Sequence, residues 1–284
     1  MRQQLPVLLA ALGVILLGWG GWYLLFADAR GTHVVVLEQS GVVELTAANG
    51  VLRPLSPGER LAPRDTVRVG SGATAVLGIG EGSSLRLEAA TSLRLVGVSK
   101  DSVQVELEGG RVQARIKARG PGLQVGSGDR LVLARDADFR AGVDATGTLA
   151  VEAERGTVDT EGIPGVDSLT AGTGLIAPRQ GDAVQTALTE AMLLEVDWPQ
   201  SPSATAVGLL EGSTSPYARV RVAGKEVLAD VSGHFAVRIP LEKGANDLTV
   251  EARDALGRLQ VVDRTVLRPA APPPIGQAEV RWTP

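Results

Sequence analysis

Apolar and polar residues alternate one for one through long parts of this chain. In residues 110–119, Val112, Ala114, Ile116 and Ala118 fall on one face of an extended strand. Arg111, Gln113, Arg115, Lys117 and Arg119 fall on the other, the pattern of a half-buried β-strand. The same period recurs in Ser84-Leu-Arg-Leu-Glu88, Ser92-Leu-Arg-Leu-Val96, Val103-Gln-Val-Glu-Leu-Glu108 and Thr148-Leu-Ala-Val-Glu-Ala153, each bounded by Gly, Ser, Asp or Pro. Between His33 and Asp182 such segments follow one another at spacings of about 8–12 residues, which predicts an all-β domain. Val34-Val-Val-Leu-Glu-Gln39 and Gly41-Val-Val-Glu-Leu45 open it, and Gly80-Glu-Gly-Ser83 reads as a tight turn. No segment there carries a helical period. Sandwich, barrel and β-solenoid all fit the alternation, with the many small residues leaning toward stacked coils.

A second group of strands follows residues 183–192, a stretch that reads either as a brief helix or as a connector. Residues 193–199, 206–210, 218–222, 233–239 and 247–252 read as strands again, with Gly212, Gly224, Gly233, Gly244 and Gly257 at turn positions. That spacing predicts a small β-sandwich over residues 193–268. Here Phe235 would fill the core and Asn246 would close the turn before the last strand pair. Residues 269–284 form a Pro-rich tail opening on Pro269-Ala-Ala-Pro-Pro-Pro274, a stiff extended segment suited to an exposed end or a docking peptide.

The other end of the chain is uniformly apolar. Residues 5–26 carry no charge and would span about 33 Å as a helix, enough for a bilayer core. Trp19, Trp22 and Tyr23 cluster at its far end, and Arg2 precedes it, an arrangement that favours a short cytoplasmic end, residues 1–4, and export of the rest. The competing reading is a signal peptide cleaved near Ala27-Asp28-Ala29; the length of the apolar run favours a retained single-pass anchor.

Composition narrows the chemistry. The 284 residues include 44% hydrophobic but only 3% aromatic side chains, so the core must be Val, Leu, Ile and Ala, ill suited to a deep aromatic-lined pocket. A net charge of −4 argues against nucleic acid. With no cysteine, thiolate catalysis and Cys-based metal sites are excluded. The two histidines, His33 and His234, lie in different regions, and neither a zinc-protease motif nor a serine-nucleophile elbow occurs. No catalytic, cofactor or metal residues are therefore assigned. Asp136, Asp138 and Asp144 lack the ligand spacing of a calcium loop. Gly78-Ile-Gly-Glu-Gly82 has no following helix to cradle a phosphate. One candidate site remains: Arg111, Arg115, Lys117 and Arg119 as a basic strand face for an anionic ligand, set against a solvated face balanced by Glu106 and Glu108 on a neighbouring strand.

Several of these segments, in this order, resemble the FecR domain: Gly41-Val-Val-Glu-Leu45, Leu55-Ser-Pro-Gly-Glu-Arg-Leu61, residues 65–77, Glu81-Gly-Ser-Ser-Leu-Arg-Leu87, Leu107-Glu-Gly-Gly-Arg-Val112, Ala137-Asp-Phe-Arg-Ala-Gly-Val143 and Val151-Glu-Ala-Glu-Arg-Gly-Thr-Val158. The resemblance spans residues 33–182 and implies a periplasmic domain of β-solenoid or sandwich-like form, carried by inner-membrane proteins. In the family's regulators a cytoplasmic anti-sigma region precedes the membrane helix, and the signal comes from an outer-membrane transporter. Arg2, Gln3 and Gln4, the three residues between Met1 and the apolar run, cannot supply that region, so the anti-sigma role is not expected to transfer. Residues 212–227, 230–235, 241–250 and 252–257 are similar to a bacterial Ig-like domain of the kind found beside catalytic domains in glucodextranase-like enzymes. The chain therefore reads as a non-enzymatic, membrane-anchored envelope protein whose partner is another envelope protein. A cell-wall or polysaccharide-binding module is the alternative reading, and an enzyme the third.

Overall fold

The computed structural model describes residues 32–188, 191–203 and 205–269, and every helix or strand assigned among them is a strand. The expected anchor at residues 5–26 and its lead at 1–4 lie outside the described residues, as does the tail beyond Pro269. Among the described residues no helix is long and apolar enough to cross a membrane.

Short strands come first: β1 (Val34–Ser40), β2 (Val43–Thr46), β3 (Leu52–Pro54), β4 (Arg60–Leu61), β5 (Thr66–Val69), β6 (Thr74–Ile79), β7 (Ser83–Leu87) and β8 (Ser92–Val98). Then come β9 (Ser102–Ile116), β10 (Gly122–Ser127), β11 (Arg130–Val143), β12 (Leu149–Glu161), β13 (Ser168–Thr170), β14 (Thr173–Ala177) and β15 (Val184–Ala187). The last seven are β16 (Glu195–Asp197), β17 (Val207–Ser213), β18 (Arg219–Val222), β19 (Lys225–Leu228), β20 (His234–Pro240), β21 (Gly244–Arg253) and β22 (Leu259–Arg268). They form two units. The first takes the chain up to Arg140 with Ala153–Ile163 and Asp167–Ala171; the second takes Ala141–Glu152, Pro164–Val166 and the chain from Gly172 onward.

In the first unit two rows of strands share β9. Its first half pairs with β8, which leads through β5 and β2 to β3; its second half pairs with β7, which leads through β6 and β1 to β4. Sequence alternation suggests two strands here, residues 103–108 and 110–119, but the chain makes one. The corner between its halves is Gly110, with φ +92°, where a Cβ would lie 2.4 Å from the Thr91 Cα. Only glycine fits. Buried Thr91 closes the gap in the ladder, its hydroxyl donating to the Arg111 carbonyl and accepting from the Arg111 amide, both at 3.0 Å. The strand then stops three residues short of the expected Arg119. Ala118 is exposed in a turn in which the Gly120 amide donates to the Lys117 carbonyl. One methyl buries too little area to hold the chain extended against Gly120-Pro121-Gly122.

Alternation elsewhere becomes burial directly. Leu77, Leu85, Leu87, Leu93, Val112 and Ala114 are each 1% exposed or less, and Phe139 on β11 is fully enclosed. Strand β10 pairs antiparallel with β11 but parallel with β9, Gly122 opposite Ser102 through Gly126 opposite Glu106.

The second unit holds two sheets, β16-β17-β20 and β19-β18-β21-β22. Their shared core contains Leu210, Val220, Phe235, Val237, Ile239 and Val250. Phe235 fills the expected position, its ring so close to Gly212 that a Cβ there would fall 2.7 Å from it. Asn246 also closes its turn: its carbonyl oxygen accepts from the Glu242 amide at 2.7 Å and its amide nitrogen donates to the Glu242 carbonyl at 2.9 Å. The stretch left open between helix and connector contains β15, paired antiparallel with β14.

Three loops of this unit share one construction: Asp144-Ala-Thr-Gly-Thr148, Asp230-Val-Ser-Gly-His234 and Asp254-Ala-Leu-Gly-Arg258. In each, the glycine amide donates to the aspartate carbonyl, and the aspartate amide donates to the fifth residue's carbonyl. The aspartate side chain accepts the fifth residue's amide at 2.8–2.9 Å. Asp230 also accepts from the Ser232 hydroxyl at 2.6 Å, and this bond, with the His234 and Ser232 amides, lowers its pKa below the ordinary 3.8. A carboxylate with a lowered folded-state pKa stabilises fully above its unfolded value and loses that contribution as pH falls through the folded one. NMR titration of the Ser232 and His234 amides is therefore expected to give a midpoint below 3.8. Asp230→Asn should abolish that transition.

Residues 149–153 depart from the expected alternation, since all five are buried. Ala150 packs with Ile176 and Ala255, flanked by Tyr217 and Leu256. Glu152, which alternation places in solvent, instead accepts from the Arg258 Nη1 at 2.9 Å, while the Arg258 Nε donates to Asp254 at 2.6 Å.

Candidate functional site

The basic face takes shape on β7 and β9. Register sets Ser84 opposite Arg115, Arg86 opposite Gln113 and Leu87 opposite Val112. Arg111 is held by Glu88, its Nε donating to the Glu88 carboxylate at 2.8 Å. Its counter-charge is therefore not Glu106 or Glu108. These two lie on β9 itself: Glu106 accepts from the Gly128 amide at 2.9 Å, and Glu108 accepts from the Ser92 hydroxyl and pairs with Arg94. Arg115, Lys117 and Arg119 are exposed, and among the described residues they form no ion pair. Only Arg115 belongs to the strand; Lys117 and Arg119 ride on the turn after it. Register adds Arg86, whose outward position is visible in Ser84-Leu-Arg-Leu-Glu88 but whose neighbour on β9 is not.

A second charged cluster replaces the calcium alternative. Arg155 on β12 donates from Nη1 to Asp136 at 2.9 Å, from Nε and Nη2 to Asp138 at 3.2 Å each, and from Nη2 to the Ile116 carbonyl at 3.2 Å. Bonds to Asp138 and then Asp136 raise the guanidinium pKa above its ordinary value. Asp144 is elsewhere, its carboxylate taken up by the Thr146 and Thr148 amides and the Thr146 hydroxyl. The three aspartates do not converge, and a fixed guanidinium fork occupies the place a cation would need between Asp136 and Asp138. Gly78–Gly82, the other rejected motif, contains the turn joining β6 and β7. His33 precedes β1 in the first unit, and His234 opens β20 in the second.

An open groove in the first unit is lined by Asp101, Gln124, Arg135, Asp159 and Glu161 among others. No histidine lines it, and the Ser102 hydroxyl beside Asp101 lies 3.1 Å from the Ser99 hydroxyl. Asp65 is structural: 5% exposed, it accepts from the Ala48 amide at 3.1 Å and the Ala62 amide at 2.8 Å, tying two loops together.

Residues 65–159, from this buried aspartate to the end region of β12, match the family described as FecR protein. The chain thus contains a FecR domain over that stretch. Among solved structures, two of a candidate anti-sigma factor from Parabacteroides distasonis ATCC 8503 align at 18% and 17% identity, each with TM-score 0.40, over 48% of this chain and 68% of theirs. A polysaccharide lyase aligns at 9% identity and TM-score 0.21, over 86% of this chain and 41% of its own. No curated protein matches the sequence.

Proposed function

We propose that this protein is a non-enzymatic envelope scaffold or signal-sensing protein, anchored by residues 5–26 in the inner membrane and displaying its FecR domain and an Ig-like sandwich in the periplasm. The observation that carries the reading is the FecR domain at residues 65–159. Its interior, filled by Val, Leu, Ala and Phe139, leaves surface contacts as the means of action. The two-sheet sandwich of β16–β22 fits the Ig-like reading, and the parallel return of β10 on β9 fits a solenoid-like coil. Anchoring raises the effective concentration of both modules near any membrane-bound partner.

The test is crosslinking in cells. Because Ala141–Glu152 folds with the second unit, deleting residues 33–182 would damage both units. A photo-reactive residue is better placed singly at Arg115 or at Leu209. Repeated recovery of one envelope protein from the Arg115 position supports the reading; recovery of wall fragments alone overturns it. The exposed Arg86, Arg115, Lys117 and Arg119 favour the second reading, a glycan-binding face. Under that reading Arg115→Glu with Lys117→Glu should lower sedimentation with isolated cell wall about tenfold or more, as loss of two charge-assisted contacts implies. Under the first, sedimentation stays unchanged.

A further inference from the structure

The groove of the first unit has a volume of about 180 Å³ and crosses four neighbouring strands in the order β9-β10-β11-β12. Three steps of about 4.8 Å between strands give it a span of about 14 Å. Register sets Gly122 opposite Ser102, and Gln124 opposite both Gln104 and Leu133. Gly122 keeps the floor low: a Cβ there would lie 3.2 Å from the Ala134 carbonyl oxygen and 3.4 Å from the Arg135 Cγ. The stem of Arg135 therefore lies against bare backbone of β10, and half-buried Leu133 adds apolar surface beside it. Carboxylates mark the two ends, Asp101 just before β9 and Asp159 with Glu161 on β12. These three and Arg135 are exposed, and among the described residues none of them forms an ion pair. Nor, among those residues, do the carboxylates gather into a group able to hold a metal ion. A volume below the about 300–1,000 Å³ of drug-sized sites admits one extended chain and little more.

Charge decides what that chain carries. The ends of the groove are negative and Arg135 makes its middle positive, so a complementary ligand is cationic at both ends and uncharged or acidic between them. In an extended peptide the first and fifth residues face the same way about 13 Å apart, close to the span from β9 to β12. We infer that the groove binds an extended segment of a partner protein with lysine or arginine at its first and fifth positions. The third residue shares their face and meets Arg135, so a basic side chain is excluded there by like charge, a repulsive source of specificity. Lysine stems lie along Leu133 and the bare backbone of Gly122 while their ammonium groups reach the carboxylates. The Gln124 amide, both donor and acceptor, serves the backbone of the segment. This inference rests on the protein-partner reading above and names the chemistry of that partner, at a site other than the basic face.

Fluorescence anisotropy of short labelled peptides on the full chain in nanodiscs of zwitterionic lipid tests it. The probe is acetyl-Lys-Ser-Thr-Ser-Lys-amide, compared with a form carrying glutamate at both ends and one carrying a third lysine at the centre. The probe is expected to bind about tenfold or more tightly than either, the difference that one charge-assisted contact makes. Asp159→Asn with Glu161→Gln should weaken it about tenfold. Gly122→Ala, which raises the floor without changing charge, should weaken it several-fold. Arg135→Ala should bring the three-lysine peptide level with the probe. Equal binding of all three peptides, or no response to Gly122→Ala and Arg135→Ala, shows diffuse attraction and overturns the inference. Binding of a linear diamine as tight as that of the probe marks a small-molecule site and also overturns it. Loss of the Arg115 crosslink in cells would remove the partner reading without altering these affinities, so the two failures are distinguishable.

Discussion

Arg258→Met is expected to destabilise the second unit by about 3–5 kcal/mol, the usual cost of breaking a buried ion pair from one side. Glu152 and Asp254 have side chains only 6% and 4% exposed, and Arg258 bridges them with bonds of 2.9 and 2.6 Å. Without the guanidinium, two carboxylates remain in a nearly dry setting beside Ala150, Ile176 and Ala255. Neither can recover water without opening that packing. Urea unfolding of the second unit, followed by Trp198 fluorescence, measures the loss. Glu152→Gln should cost less than Arg258→Met, because the amide oxygen still accepts from Arg258. Equal stability of Arg258→Met and the parent would remove this bridge from any account of the unit.

Gly156→Ala is expected to cost the first unit about 2–5 kcal/mol. Its φ of +76° is one that a Cβ penalises by about 1–2 kcal/mol. The added carbon would also fall 2.2 Å from the Asp136 carbonyl oxygen and 3.1 Å from the Ala137 Cα. Those are backbone atoms of β11, which no rotamer change can move, so about 1–3 kcal/mol of overpacking follows. Displacement of Asp136 would loosen the adjacent Arg155 fork as well. Gly128→Ala is the control: its φ is +67° with nothing within 4 Å of the added carbon, so only the conformational cost applies. Thermal unfolding of both variants separates the two contributions, and equal shifts would sink the steric argument.

These two cases mark where the amino-acid pattern stops being informative. Alternation located most strands because a side chain's face is decided by its own neighbours in sequence. It misread Glu152 as a solvent residue because burial of both faces of β12 depends on Ala255 and Arg258, about a hundred positions later. It split β9 in two because glycine is read as a strand end, whereas Gly109-Gly110 here turns a corner within one strand under the Thr91 hydroxyl. The candidate basic face was legible as a set of outward residues. Its charge balance was not, since Glu88 meets Arg111 only through the β7–β9 register. Asp136 and Asp138 attracted attention as potential ligands because nothing local reveals that Arg155 lies across the ladder. The Asp-x-x-Gly-x loops were present in the sequence as turn signals, and their common wiring could have been anticipated from the tendency of aspartate to accept nearby backbone amides.

The division of the chain into units has a consequence for how such a protein can be inherited or cut. Ala141–Glu152 and Pro164–Val166 belong with the C-terminal unit although FecR-domain residues lie between and before them. The polypeptide passes from one unit to the other and back more than once, so no single junction separates two autonomous cassettes. Recombination or proteolysis at the end of the family match would strip the second unit of the strand segment that carries Glu152. Tension applied along the chain would likewise be shared among several covalent crossings instead of falling on one linker.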